Sequence, residues 1–156
     1  MAKIDFVGID EYFDTLKKLG DKATGMCKRA LYDGAGVLAD AVRTEVQGLP
    51  TTDRNGTPQQ TLEYERDGLL AGLGIAGMKT DSNGVSTRVD FDGYNRLRSK
   101  QYPNGHPNSM VARAINSGTS KRPKNPFMAR AVRKAKAKAT DAMAARLDAD
   151  IEQIMK

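Results

Sequence analysis

Gly72-Leu73-Gly74-Ile75-Ala76-Gly77 has the G-x-G-x-x-G spacing with which a dinucleotide-binding turn brings its backbone against a pyrophosphate. Asp92 stands 20 residues beyond Gly72, where an acid takes a ribose hydroxyl. That chemistry needs an apolar strand ahead of the glycines and a helix N-terminus behind them. Ahead of them stands Glu63-Tyr64-Glu65-Arg66-Asp67, and behind them comes a hairpin turn. The glycines are therefore read as a strand that bends or lies close to a neighbour. The only Cys and the only His, Cys27 and His106, are 79 positions apart, so a nucleophile–base pair could come only from the fold. Cys27 falls on a predicted buried stripe, where a small apolar role suits it. His106, between Gly105 and Pro107, reads as a solvated loop residue. No His/Cys group has metal-ligand spacing, and Asp90 with Asp92 reads as the solvated face of a strand. The expectation is a protein that is not an enzyme and has no catalytic, cofactor or metal site.

Charge carries more information. Residues 94–138 hold 12 Lys/Arg and no carboxylate, whereas residues 1–93 carry 11 Lys/Arg against 15 Asp/Glu. Such a block predicts a basic surface facing nucleic acid or an acidic protein neighbour, and the sequence leaves both open. Arg96, Arg98 and Lys100, interleaved with Tyr94 and Tyr102, have the charge-plus-stacking composition of single-strand binders. Lys121-Arg122-Pro123-Lys124 has the form of a nuclear localisation run. Lys134, Lys136 and Lys138 are expected to face outward.

These residues need elements to position them. With 156 residues, 39% apolar and 28% charged, the chain suits one soluble domain. Its opening, acidic within five residues, does not read as a signal peptide, and no apolar run reaches the roughly 20 residues of a membrane span. A single cysteine cannot staple the chain to itself. Ile4 to Val7 reads as a short strand or arm. Ile9, Phe13, Leu16 and Leu19 share a face of a first helix ended by Gly20, and Asp21 can cap a second from about Lys22 to Val46. Gly48 to Arg66 reads as a loop. Gly72–Thr80 and Val85–Asp92 read as strands joined by Asp81-Ser82-Asn83-Gly84. Gly93–Asn108 is a second loop, and Met110–Ser117 a third strand. Asn125-Pro126 predicts a capped helix start. Phe127, Ala131, Ala135, Ala139, Met143, Leu147, Ile151 and Ile154 then form one stripe on a helix over about 126–155. At about 45 Å, that helix spans or overhangs its domain, and its distal end is free to meet another subunit.

The stretch Ile115-Asn116-Ser117-Gly118-Thr119-Ser120-Lys121-Arg122-Pro123-Lys124-Asn125-Pro126-Phe127-Met128-Ala129-Arg130-Ala131 resembles a family of tail components of long-tailed bacteriophages, encoded among the head–tail joining genes. That family carries a glycine-threonine-serine turn, a proline, then Pro-Phe leading into a C-terminal helix. Those positions match Gly118, Thr119, Ser120, Pro123, Pro126 and Phe127. The opening, Gly8-Ile9-Asp10-Glu11 through Lys17-Lys18-Leu19-Gly20, is similar to the family's first helix. The middle departs: where the family has a proline, then Thr-Gly-Arg-Leu, this chain has Leu49-Pro50 and then a polar insert.

The resemblance implies a non-enzymatic virion protein at the neck or upper tail, assembled in the bacterial host cytoplasm. It implies a ring, six-membered by family analogy, between head–tail connector and tail-tube proteins. No membrane or small-molecule substrate is expected. The expected fold is α+β in one domain, residues 1–156: two N-terminal helices, a small antiparallel sheet with long loops, and a long C-terminal helix. Gly118, Thr119, Ser120, Arg122 and Phe127 are expected to position that helix and its interface. Arg96, Arg98, Lys100, Lys121 and Lys124 are expected to touch an acidic neighbour or passing DNA. The alternative is a basic nucleic-acid-binding protein using residues 94–138.

Overall fold

A computed structural model of the chain describes residues 3–4, 20, 22–52 and 61–155. In chain order its elements are β1 (Lys3–Ile4), α1 (Lys22–Gln47), β2 (Thr51–Thr52), β3 (Thr61–Leu62), α2 (Glu63–Gly72), β4 (Leu73–Ile75), β5 (Lys79–Asp81), β6 (Gly84–Phe91), α3 (Asn108–Ser117) and α4 (Phe127–Met155). The architecture is mixed α+β with a long C-terminal helix. Of the two expected N-terminal helices, the second is α1, whose expected cap Asp21 lies outside the described residues, and the first, Ile9 to Leu19, lies outside them as well.

α1 and α4 form the body of the molecule. Apolar residues recur every three or four positions on α1, so Cys27, Leu31, Leu38, Val42 and Val46 turn to one side and are buried. α4 answers with Phe127, Ala131, Ala135, Ala139, Met143 and Leu147, all buried, while Ile151 and Ile154 are half-buried. Small residues at this seam let the two backbones approach closely. At Gly34 a Cβ would stand 2.6 Å from Met143 Cγ, so any larger residue there would force Met143 to shift. Ion pairs fix an antiparallel register: Arg130 Nε–Glu45 Oε2 at 2.9 Å, Arg146 Nη1–Asp33 Oδ2 at 3.8 Å and Arg29 Nε–Asp150 Oδ2 at 3.0 Å. The last turn of α4 is thus level with the first turn of α1. The distal end lies along its own chain and does not overhang it. Among the described residues no helix is long and apolar enough to cross a membrane.

β6 is the centre of the sheet. β1 pairs with it on one side, Lys3 opposite Arg88. On the other side run β4, with Leu73 opposite Phe91, and β5, with Lys79 opposite Ser86; all three pairings are antiparallel. The two registers differ by one residue, which makes Ala76–Met78 a bulge in what the sequence predicts as a continuous strand from Gly72 to Thr80. The Thr87 hydroxyl donates to the Ala76 carbonyl across it at 2.7 Å. The Asp81–Gly84 turn forms as expected, closed by Asn83 N–H on Asp81 Oδ1 at 2.8 Å with Gly84 at φ +127°.

Two expectations are overturned. Met110–Ser117 is helical, within α3, because Val111, Ala112 and Ile115 bury one helical face, not an alternating strand face. Glu63–Arg66, assigned to a loop, is the start of α2: Glu65 Oε2 accepts the Leu62 N–H at 2.7 Å and so satisfies a donor at the helix start. The remainder of that loop is pinched at its base, where Thr51 and Thr52 pair in parallel with Thr61 and Leu62.

Candidate assembly surface

The block from Gly118 to Phe127 is a joint between α3 and α4. Gly118 ends α3 at φ +76°, a left-handed conformation, and its N–H closes on the Ala114 carbonyl. A Cβ there would also come within 2.9 Å of the Lys124 nitrogen. Thr119 and Arg122 then exchange backbone bonds, Thr119 N–H to Arg122 O at 2.9 Å and Arg122 N–H to Thr119 O at 3.3 Å, leaving Ser120 and Lys121 exposed at the tip. The Arg122 side chain turns inward, its Nη2 2.9 Å from Oε1 of Glu65, a carboxylate with no solvent exposure. Phe127 is fully buried edge-on against Phe91, ring centroids 6.2 Å apart.

The start of α4 is satisfied differently from the sequence expectation. Asn125 uses its backbone carbonyl for Phe127 N–H and its side-chain oxygen for Arg130 Nη2. The capping side chain is Asn116, whose Oδ1 accepts Met128 N–H at 3.1 Å.

The basic loop between β6 and α3 is built on two buried asparagines. Asn108 Nδ2 donates to the Asp92 carbonyl at 2.7 Å. Asn95 Nδ2 donates to Asn108 Oδ1 at 3.1 Å and to the Glu65 carbonyl at 3.0 Å. Gly68 and Gly72, one turn apart on α2, make room for them: a Cβ on Gly68 would be 2.5 Å from Asn95 Nδ2, and one on Gly72 would be 2.2 Å from the Asp92 carbonyl. Asn95 N–H on His106 O, at 2.7 Å, and His106 N–H on Leu97 O, at 2.8 Å, close the loop on itself. His106 is half-buried and stacks with Tyr102, so the loop holds it more firmly than its sequence context suggests. Arg96, Arg98 and Lys100 are displayed outward.

Of the twelve cations in 94–138, three are engaged within the chain. Arg122 holds Glu65, and Arg130 and Lys134 hold Glu45. Lys134 and then Arg130 draw the Glu45 carboxyl below its ordinary pKa. Part of the segregated charge therefore pairs acidic and basic halves inside one chain. The other nine, among them Arg96, Arg98, Lys100, Arg113, Lys121 and Lys124, have no ion-pair partner among the described residues. The structure thus divides the expected residues: Gly118, Thr119, Arg122 and Phe127 are spent on the joint, and Ser120, Lys121 and Lys124 are exposed on its outside.

The remaining sequence candidates dissolve into structure. In the glycine fingerprint a helix precedes Gly72 and a strand comes after it, the reverse of the order that presents a helix N-terminus to a phosphate. Cys27 is buried, and burial pushes its thiol pKa up, away from the reactive thiolate. Asp90 pairs with Arg88 at 3.1 Å, and Asp92 accepts the N–H of Gly93 at 2.9 Å. Among the described residues no three His, Cys, Asp or Glu side chains gather as metal ligands. Glu65, Asn95, Asn108 and Asn116, which the sequence reading did not single out, do most of the positioning. None of them carried a sequence signal: Glu65 stands three residues after the cap, but Leu62 has no side-chain acceptor to complete a capping box. In comparison with known proteins, no family model matches this chain, and neither a curated protein nor a solved structure matches it.

Proposed function

We propose that this chain is a structural, ring-forming subunit of a long-tailed bacteriophage virion, completing the tail or joining it to the head. The observation that supports this reading best is the use of the Gly118–Phe127 block. The residues that carry the resemblance are consumed in setting the angle of a 29-residue helix, and the cations beside them point outward. A rigid joint with a charged exterior suits docking between rings by shape and charge. The test is electron microscopy of particles from a phage or prophage lacking the gene. Full heads beside unjoined or abnormally long tails are expected, and normal infectious particles would sink the reading.

A second reading has its own observation. Tyr94, 74% exposed, neighbours the outward Arg96 in an ordered loop, an arrangement that suits stacking and phosphate contact in a nucleic-acid-binding protein. Under that reading, affinity for DNA falls steeply with added salt as counterions are released. Retention of micromolar or tighter affinity at physiological salt favours it, and loss of binding there disfavours it.

A further inference from the structure

α3 turns Met110, Arg113 and Ser117, spaced by three and four residues, toward solvent. At the head of this helix stands the basic loop, where Tyr94 is bridged by its backbone to Pro107 and Arg96 follows two residues on. At its foot lies the joint, where the Lys124 backbone is so close to Gly118 that a Cβ there would be 2.9 Å from the Lys124 nitrogen. The two ends are about 15 Å apart along the helix. Between them α3 and the start of α4 flank an open groove of about 580 Å³. Pro107, Met110 and Met128 are among its walls, Arg113 stands at its edge, and no carboxylate lines it. Tyr94, Arg96, Arg113, Lys121 and Lys124 are all exposed, and none of these cations has an ion-pair partner among the described residues.

A single strand of nucleic acid presents, at every nucleotide, a flat base beside a charged phosphate. A surface that holds one therefore interleaves aromatic or apolar faces with cations. Both are present here: the Tyr94 ring, a groove whose two methionines adapt to what enters it, and cations at the head, middle and foot of α3. A duplex keeps its base faces inside the stack, so it would meet only the cations. An acidic protein neighbour would also answer the cations, but the free face of Tyr94, held at the rim of the groove by its backbone, favours a base. We propose that this face of α3 binds single-stranded nucleic acid. One base stacks on Tyr94, a neighbouring base enters the groove against Met110, and phosphates lie on Arg96, Arg113 and Lys124. The inference rests on the nucleic-acid-binding reading and deepens it from nucleic acid in general to the unpaired strand.

The test is fluorescence anisotropy of a labelled oligothymidylate, and of a labelled duplex of equal length, titrated with the full chain at physiological salt. The single strand is expected to bind more tightly than the duplex, by about tenfold or more. Tyr94→Ala weakens single-strand binding by about 5- to 150-fold, the loss of one stacked base. Met110→Lys separates apolar contact from charge. It adds a cation, yet weaker binding is expected, and tighter binding overturns the proposal by reducing the surface to charge alone. Arg113→Gln lowers the slope of log affinity against log salt by about 0.7, and an unchanged slope overturns the proposal by leaving the phosphates elsewhere. Circular dichroism checks that each variant folds, and if Met110→Lys does not, Ser109→Lys on the same groove replaces it. A peptide of alternating Glu and Phe that displaces the oligonucleotide and binds more tightly overturns the proposal by giving the surface to a protein neighbour. The proposal and the reading beneath it fail separately: equal affinity for duplex and single strand removes only the proposal, and no binding of either removes both.

Discussion

Arg122 and Glu65, 57 positions apart in sequence, meet at 2.9 Å, and the carboxylate has no solvent exposure. A buried carboxylate left alone is far more costly than one that is paired. Arg122→Met is therefore expected to destabilise the fold by about 3–5 kcal/mol. Adding Glu65→Gln, which keeps an acceptor for Leu62 N–H, recovers part of that loss. Urea unfolding of the two single variants and the double completes the cycle. A loss below about 0.5 kcal/mol for Arg122→Met, the range of an ordinary surface change, would show that the pair is not holding the joint.

Two glycines of α1, two residues apart, are expected to respond with opposite signs. At Gly36 an added Cβ meets nothing within 4 Å, so Gly36→Ala stabilises by about 0.5–1 kcal/mol through helix propensity. At Gly34 the same methyl collides with Met143, and Gly34→Ala destabilises by about 1–3 kcal/mol. Thermal melts read both, and equal signs would contradict the close approach of α1 and α4.

Asn108→Ala strips the Asp92 carbonyl of its side-chain donor and Asn95 Nδ2 of one of its two acceptors, the Glu65 carbonyl remaining. The expected loss is about 1–3 kcal/mol for each group left unsatisfied. Amide hydrogen exchange gives the sharper readout. The amides of Asn95 and His106 should lose protection while those of α1 keep theirs, and unchanged protection in the loop would mean that something else orders it.

Glu45 gives a pH signature. Its carboxyl titrates below the ordinary value of 4.5 because Lys134 and Arg130 donate to it. A depressed folded pKa contributes stability above the unfolded value and loses it as pH falls through the folded one. Glu45→Gln should therefore be less stable than wild type at neutral pH, by no more than about 1 kcal/mol given the exposed Lys134. The gap should narrow progressively below pH 4.5. A gap equally wide at pH 7 and pH 3 in urea titrations would assign the effect to packing.

The parts of the fold legible in the sequence were those specified by local periodicity. α1 and α4 repeat apolar residues at helical spacing over seven or eight turns, and the Asp81–Gly84 turn carries its own chemistry. The short elements are ambiguous where the pattern supports two periods. Val111 and Ile115 suit a strand by residue type, and only the burial of Ala112 beside Val111 identifies a helix. α2 was hidden because Gly68 and Gly72 look like breakers, yet they are there to admit Asn95 and Asn108. No local pattern announces that need, since the partners come from another loop. The same holds for the joint. Gly118 and Phe127 stood out in the sequence, whereas the carboxylate that anchors Arg122 did not.

The borrowed cap on α4 reaches into the way the chain folds. Met128 N–H finds its acceptor on Asn116, a side chain of α3, and Asn125 N–H finds the Ile115 carbonyl. The first turn of α4 therefore has no complete set of partners until α3 has formed. α3, the joint and the head of α4 open and close as one cooperative unit, while the distal turns answer to α1. Native-state hydrogen exchange should divide this single unbroken helix into two zones, with Arg130 tracking Ile115 and Leu147 tracking Leu31.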